Sequence, residues 1–189
     1  DGMWAMAYEK TIGTIYLERQ KTQRHVTPLA IIGVGGSPAT PLELFTGHTV
    51  QKWSCKDFQT GKLSASEREQ KLAELREQLA ACVADKRLMV GGTAKLGGSQ
   101  TVVPGLLYNH SYGVLGYDKR TDTVAFWNPI GSNYTPKGPP GLKHGFVTHH
   151  GCFSMPLTDA VMWFGSFSIE TDEPSTRFEI ADDPADTTQ

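Results

Sequence analysis

The stretch that most constrains this fold is Leu107–Gly131, LYNHSYGVLGYDKRTDTVAFWNPIG. Two runs rich in aromatic and aliphatic residues, Tyr108–Tyr117 and Thr123–Asn128, flank a polar break at Asp118–Asp122. Such runs suit a pleated, half-buried surface and the break is made of turn formers, so the stretch predicts a β-hairpin. His110 opens the first run and Asn128 closes the second. A reversal over Lys119–Thr121 brings these two ends together. An amide bonded to one imidazole nitrogen fixes the tautomer and leaves the other nitrogen free to move a proton. A structural histidine satisfied by a neighbouring carbonyl is the plainer alternative for a lone strand histidine.

The rest of the chain can be arranged around that hairpin. Met3–Ile12 predicts a helix stopped by Gly13, and residues 14–20 suit either strand or continued helix. Gly33, Gly35 and Gly36 lack the Lys-Ser/Thr of a phosphate loop and read as a hinge or loop. Pro38–Phe45 predicts a short helix closed by Gly47, and Thr49–Lys56 a strand with Val50 and Trp53 as its apolar positions. After the polar link Thr60–Ser66, the clearest helix runs Ser66–Asp85. Ser64 with Glu67 and Ser66 with Glu69 are candidate capping boxes, and Leu72, Leu75, Leu79, Cys82 and Val83 form one apolar stripe. Leu88–Thr93 predicts a strand, Ala94–Gly105 and Ser132–Gly145 irregular loops, Pro156–Val161 a short helix and Phe164–Thr171 a strand. From Asp172 the chain turns acidic and a mobile tail is expected.

The segments NHSYGVLGYD and FWNPIG resemble the calpain family of cysteine proteases. There a strand carrying H-A-Y-x-V is followed, after a short turn, by a strand ending in N-P-W-G. His110 matches the family's catalytic histidine and Asn128 its catalytic asparagine. Tyr112, Val114, Pro129 and Gly131 match the flanking positions. Ile130 departs, since the family places there a tryptophan that shields the Asn–His bond. Trp4–Lys10 resembles, more loosely, a W-x-x-x-x-E-K-A-type helix late in the family's first core subdomain. Pro41–Gly47 resembles the L-T-G segment that joins the two subdomains, and GCFSMPLTDAVMWFGSFSIET resembles the closing helix and last strand. The family's nucleophile sits in a G-x-C-W context at a helix start, preceded by a glutamine that serves the oxyanion. Cys55, Cys82 and Cys152 lack that context.

Metal and cofactor signals are poor. His144, His149, His150 and Cys152 crowd together, but neighbours on a strand point apart and the spacing does not suit zinc. The resemblance also implies calcium sites in acidic loops near the penultimate strand, yet the matching residues THHGCFSM hold no carboxylate. No cofactor and no metal are therefore expected. A net charge of −2 gives no pull toward nucleic acid or anionic membranes. No apolar run reaches membrane-spanning length. Three cysteines are too few for a disulfide framework, which favours a reducing, cytoplasmic setting.

The expected fold class is α+β: a papain-like protease core whose antiparallel sheet carries packed helices. Residues 1–47 are expected to be the end of the first protease subdomain, 48–171 the second subdomain with the His/Asn hairpin, and 172–189 the acidic tail. The resemblance implies the His/Asn-bearing part of a cysteine endopeptidase, with His110 as general base and acid and Asn128 orienting it. The nucleophilic cysteine would come from an upstream segment or from a separate N-terminal protease fragment, and the substrate would be a polypeptide. A catalytically inactive calpain-like module used for binding or regulation is the alternative. The apolar residues of Met3–Tyr8 are expected to form an exposed patch, or one covered by a second polypeptide.

Overall fold

The segment Phe164–Pro174 is rich in aromatic, Ser, Ile and Thr residues, and it lies inside the sheet with a partner strand on each side. The computed structural model describes residues 3–20, 27–33, 36–93 and 102–176. The elements are α1 (Met3–Gln20), α2 (Pro28–Gly33), α3 (Ala39–Thr46), β1 (His48–Ser54), α4 (Lys56–Gln59), α5 (Ala65–Ala84), β2 (Met89–Thr93), β3 (Ser111–Asp118), β4 (Thr123–Trp127), β5 (Cys152–Pro156), α6 (Leu157–Trp163) and β6 (Phe164–Pro174). They form an α+β fold on one six-stranded sheet of order β1-β6-β2-β3-β4-β5, with every pair antiparallel.

The sheet has one apolar face. Register pairs Val114 with Phe126 and Phe126 with Phe153, so these side chains point the same way. Phe126 stacks on Phe153, Phe164 and Phe167, and Tyr112 meets Phe153, Trp163 and Phe164 edge-on. Each such ring contributes about 1.5–3 kcal/mol by leaving water. The stripe Leu72, Leu75, Leu79 and Cys82 of α5 and the buried Leu157, Ala160 and Val161 of α6 join this core. The opposite face of the hairpin carries Gly113 beside Trp127 and Gly116 beside Ala125.

Several elements differ from the sequence reading. Helix α1 passes through Gly13 rather than ending there. A Cβ at residue 13 would lie 2.1 Å from the Pro28 carbonyl oxygen, so this glycine serves the close packing of α2 on α1. Residues 29–33, read in part as a hinge, are helical in α2. Helix α4 was not foreseen, and α5 starts at Ala65 because Ser64, not Ser66, makes the capping box with Glu67. Val83 falls off the buried stripe and is 42% exposed. Strand β6 continues past Thr171 to Pro174, into the expected tail, and pairs there with β1. The rest of that tail, 177–189, lies outside the described residues, as do residues 94–101 of the expected Gly-rich loop. Of the Met3–Tyr8 patch, the side chains up to Met6 are likewise outside them. Tyr8 donates to the Pro41 carbonyl at 3.1 Å and meets Phe45 edge-on.

The hairpin turn is fastened to α5 by charge. Arg76 donates through Nε and Nη2 to the Asp122 carboxylate at 2.9–3.2 Å, and Tyr117 donates its hydroxyl to the same group at 2.7 Å. The Asp122 carboxyl is held below its ordinary value, chiefly by the Arg76 hydrogen bonds. Burial, with the hydrogen bond to Asp122, pushes Tyr117 up to about 12.

Candidate active site

His110 and Asn128 lie just beyond the paired ends of β3 and β4, not inside the strands. The ladder explains the meeting: Gly113 pairs with Trp127, so the residues preceding Gly113 and following Trp127 converge. His110 Nε2 and Asn128 Oδ1 are 2.9 Å apart. The Ile130 backbone N–H also donates to Asn128 Oδ1, at 3.1 Å. A backbone N–H can only donate, so this contact fixes which end of the amide is oxygen. The oxygen must then accept from Nε2–H, which leaves Nδ1 as the lone-pair nitrogen of the neutral ring. Nδ1 has no partner among the described residues, and His110 lines an open cleft of about 740 Å³.

Asn128 itself is held tightly. It is 1% exposed, and its Nδ2 donates to Ser132 Oγ at 3.4 Å. Its backbone N–H donates to Gly151 O at 2.8 Å, and its carbonyl accepts from Gly131 N at 2.9 Å. His149 and Cys152 exchange both backbone bonds at 2.9 Å across His150 and Gly151, whose φ values are +48° and +81°. Two successive positive φ values mark the tight hairpin turn that matches strand twist. His149 and His150 therefore sit in a turn, not on a strand, and their ring centroids are 4.2 Å apart rather than diverging. Among the described residues no group of three or more His, Cys, Asp or Glu side chains is arranged to hold a metal.

The floor of the cleft comes from the sheet face opposite the core, with Lys52, Gly92, Ser166 and Ser168. Its rim comes from Gly36–Pro38 ahead of α3 and from Asn109, His110 and Pro129. Small side chains on a strand face leave room for an extended chain to lie across it. None of the three cysteines lines this cleft. Cys55 is wholly buried and burial pushes its thiol far up. Cys82, in the α5 stripe, is 1% exposed and also raised by burial. Cys152 is exposed on β5, beside Trp127 in the register.

No family model matches the chain, and no curated protein matches it either. The sequence reading missed Thr93, Ser132, Gly151 and the Ile130 amide, all of which touch His110 or Asn128. Thr93 ends β2, and Ser132 and Gly151 lie in loops that only the fold brings beside Asn128. Ile130, which departs from the shielding tryptophan of the resembling family, is 65% exposed. Its backbone bonds Asn128 while its side chain faces solvent. Among the described residues no helix is long and apolar enough to cross a membrane.

Proposed function

We propose that this chain forms the His/Asn-bearing half of a papain-like, calpain-type cysteine endopeptidase, with 48–171 as the second protease subdomain. The observation that carries the reading is the 2.9 Å His110 Nε2–Asn128 Oδ1 bond at the edge of an open cleft, with the amide oriented by Ile130 N–H. In that role Nδ1 takes the proton from an attacking thiol and returns it to the leaving amine. Asn128 is neutral, so it orients the ring and does not neutralise an imidazolium. The thiol comes from another polypeptide segment, an N-terminal protease fragment, because all three cysteines here lie away from the cleft. That same fact favours the second reading, an inactive calpain-like module used for binding or regulation.

The test pairs the 189-residue chain with a calpain-type N-terminal fragment bearing G-x-C-W and follows cleavage of a fluorogenic peptide. The chain alone should be inert, and the complemented pair active. His110→Ala should lower turnover by about 10²–10⁴-fold, and Asn128→Ala by less. Equal turnover of wild type and His110→Ala would end the catalytic assignment. His110-dependent turnover by the chain alone, with labelling of Cys55 or Cys152, would place the nucleophile inside it.

A further inference from the structure

From the hydrogen bonds at the end of β2, we infer that Thr93 is a positioning residue for His110. The inference rests on the proposed role of His110 only for its consequence in catalysis.

His110 lies outside β3, so the regular ladder does not hold it. The last regular pair between β2 and β3 is Gly92 with Ser111. Beyond it, at a register shift on the β6 side, Thr93 takes over. Its backbone N–H donates to His110 O at 2.9 Å. Its hydroxyl accepts from His110 N at 3.0 Å, and lies 3.1 Å from both the Leu107 and the His110 carbonyl oxygens, either of which can take its single proton. One buried side chain thus satisfies the His110 amide and ties the residue to the preceding loop.

That loop needs tying. Asn109, next to His110, has φ of +50°, in a region sparsely used by residues other than glycine. Tyr112 supplies a second tie: Leu107 N donates to its hydroxyl at 2.7 Å, and its ring meets the His110 ring edge-on at 4.9 Å. Asn128 restrains only the tip of the imidazole. Thr93 fixes the main chain from which the ring projects, and a small shift there moves Nε2 out of reach of Oδ1.

The test reads the ring rather than the fold. Nitrogen NMR of His110 reports its tautomer and pKa, and proton NMR reports exchange of Nε2–H with water. Wild type should show Nε2–H with slowed exchange. Thr93→Val keeps the shape and the backbone bond but loses the hydroxyl. It should speed that exchange by about two- to tenfold, the factor expected for one lost hydrogen bond, and mix the tautomers. Thr93→Ser keeps the hydroxyl and should match wild type within about twofold on the same scale. If Thr93→Val does not fold, the serine variant decides: exchange sped as much as tenfold there would refute the role of the hydroxyl. A folded valine variant with the wild-type tautomer and exchange would refute it equally. A slowed Nε2–H together with an inert complemented enzyme would overturn the protease reading and leave the positioning role in place.

Discussion

Gly151 offers the sharpest test of how the Asn128 loop is built, because two separable effects meet there. Its φ is +81°, and a Cβ at that position would stand 2.3 Å from the Asn128 carbonyl oxygen and 3.2 Å from Gly131 Cα. Both of those neighbours are backbone, so neither can swing aside as a side chain would. Gly131 has φ of +75° but open space around its missing Cβ. Gly131→Ala should therefore cost only the left-handed backbone penalty, about 1–2 kcal/mol. Gly151→Ala should cost that penalty and also displace Asn128, for about 3–5 kcal/mol in all. For a chain of this size each kcal/mol moves the melting temperature by about 2–4 °C. The expected drops are thus roughly 2–8 °C for Gly131→Ala and 6–20 °C for Gly151→Ala. Calorimetry measures both, and His110 Nε2–H exchange should change only in Gly151→Ala. Equal melting drops, with His110 unaffected in both variants, would refute the idea that this turn presses Asn128 into place.

Three further outcomes follow from named contacts. Asp122→Asn removes the charge that Arg76 grips, and should cost about 1 kcal/mol near pH 7, discounted for the partial exposure of both groups. Because the folded Asp122 pKa lies below its ordinary 3.8, this stability is fully present above that value and is lost as pH falls through the depressed one. The gap between wild type and variant in denaturant titrations should close in acid, and a gap constant with pH would count against the ion pair. Thiol labelling of the native protein should mark Cys152 and spare Cys55 and Cys82 until unfolding, since burial raises both thiols. Rapid native labelling of Cys55 would show that its pocket opens. Asn109→Gly should be close to neutral in melting temperature and Asn109→Val should destabilise by about 1–3 kcal/mol, because a β-branched residue resists φ of +50°. A stable valine variant would mean that the loop relaxes.

Local pattern alone determined much of this protein. The alternation and turn chemistry of Leu107–Gly131 specify a hairpin, and the distance along each arm brings His110 and Asn128 to one end of it. The α5 stripe and the Ser64–Glu67 box are legible because a helix repeats its apolar contacts every three to four residues and is capped by neighbours in sequence. Gly47 closes α3 as its left-handed cap, again a local event. What failed locally did so for identifiable reasons. Gly13 reads as a helix stop, but its missing Cβ is used by Pro28, fifteen positions away in a different helix. Val83 fits the stripe by number yet lies at the helix end and stays 42% exposed. The strand order was beyond reach, because β6 comes last in the chain yet lies between β1 and β2, and sequence separation says nothing about such pairing. The clasp of Thr93 on His110 is of the same kind, since the two meet at 3.0 Å only when β2 packs beside β3. The orientation of the Asn128 amide and the turn at His150–Gly151 are set between residues two and three positions apart, but by backbone groups whose conformation residue type does not encode.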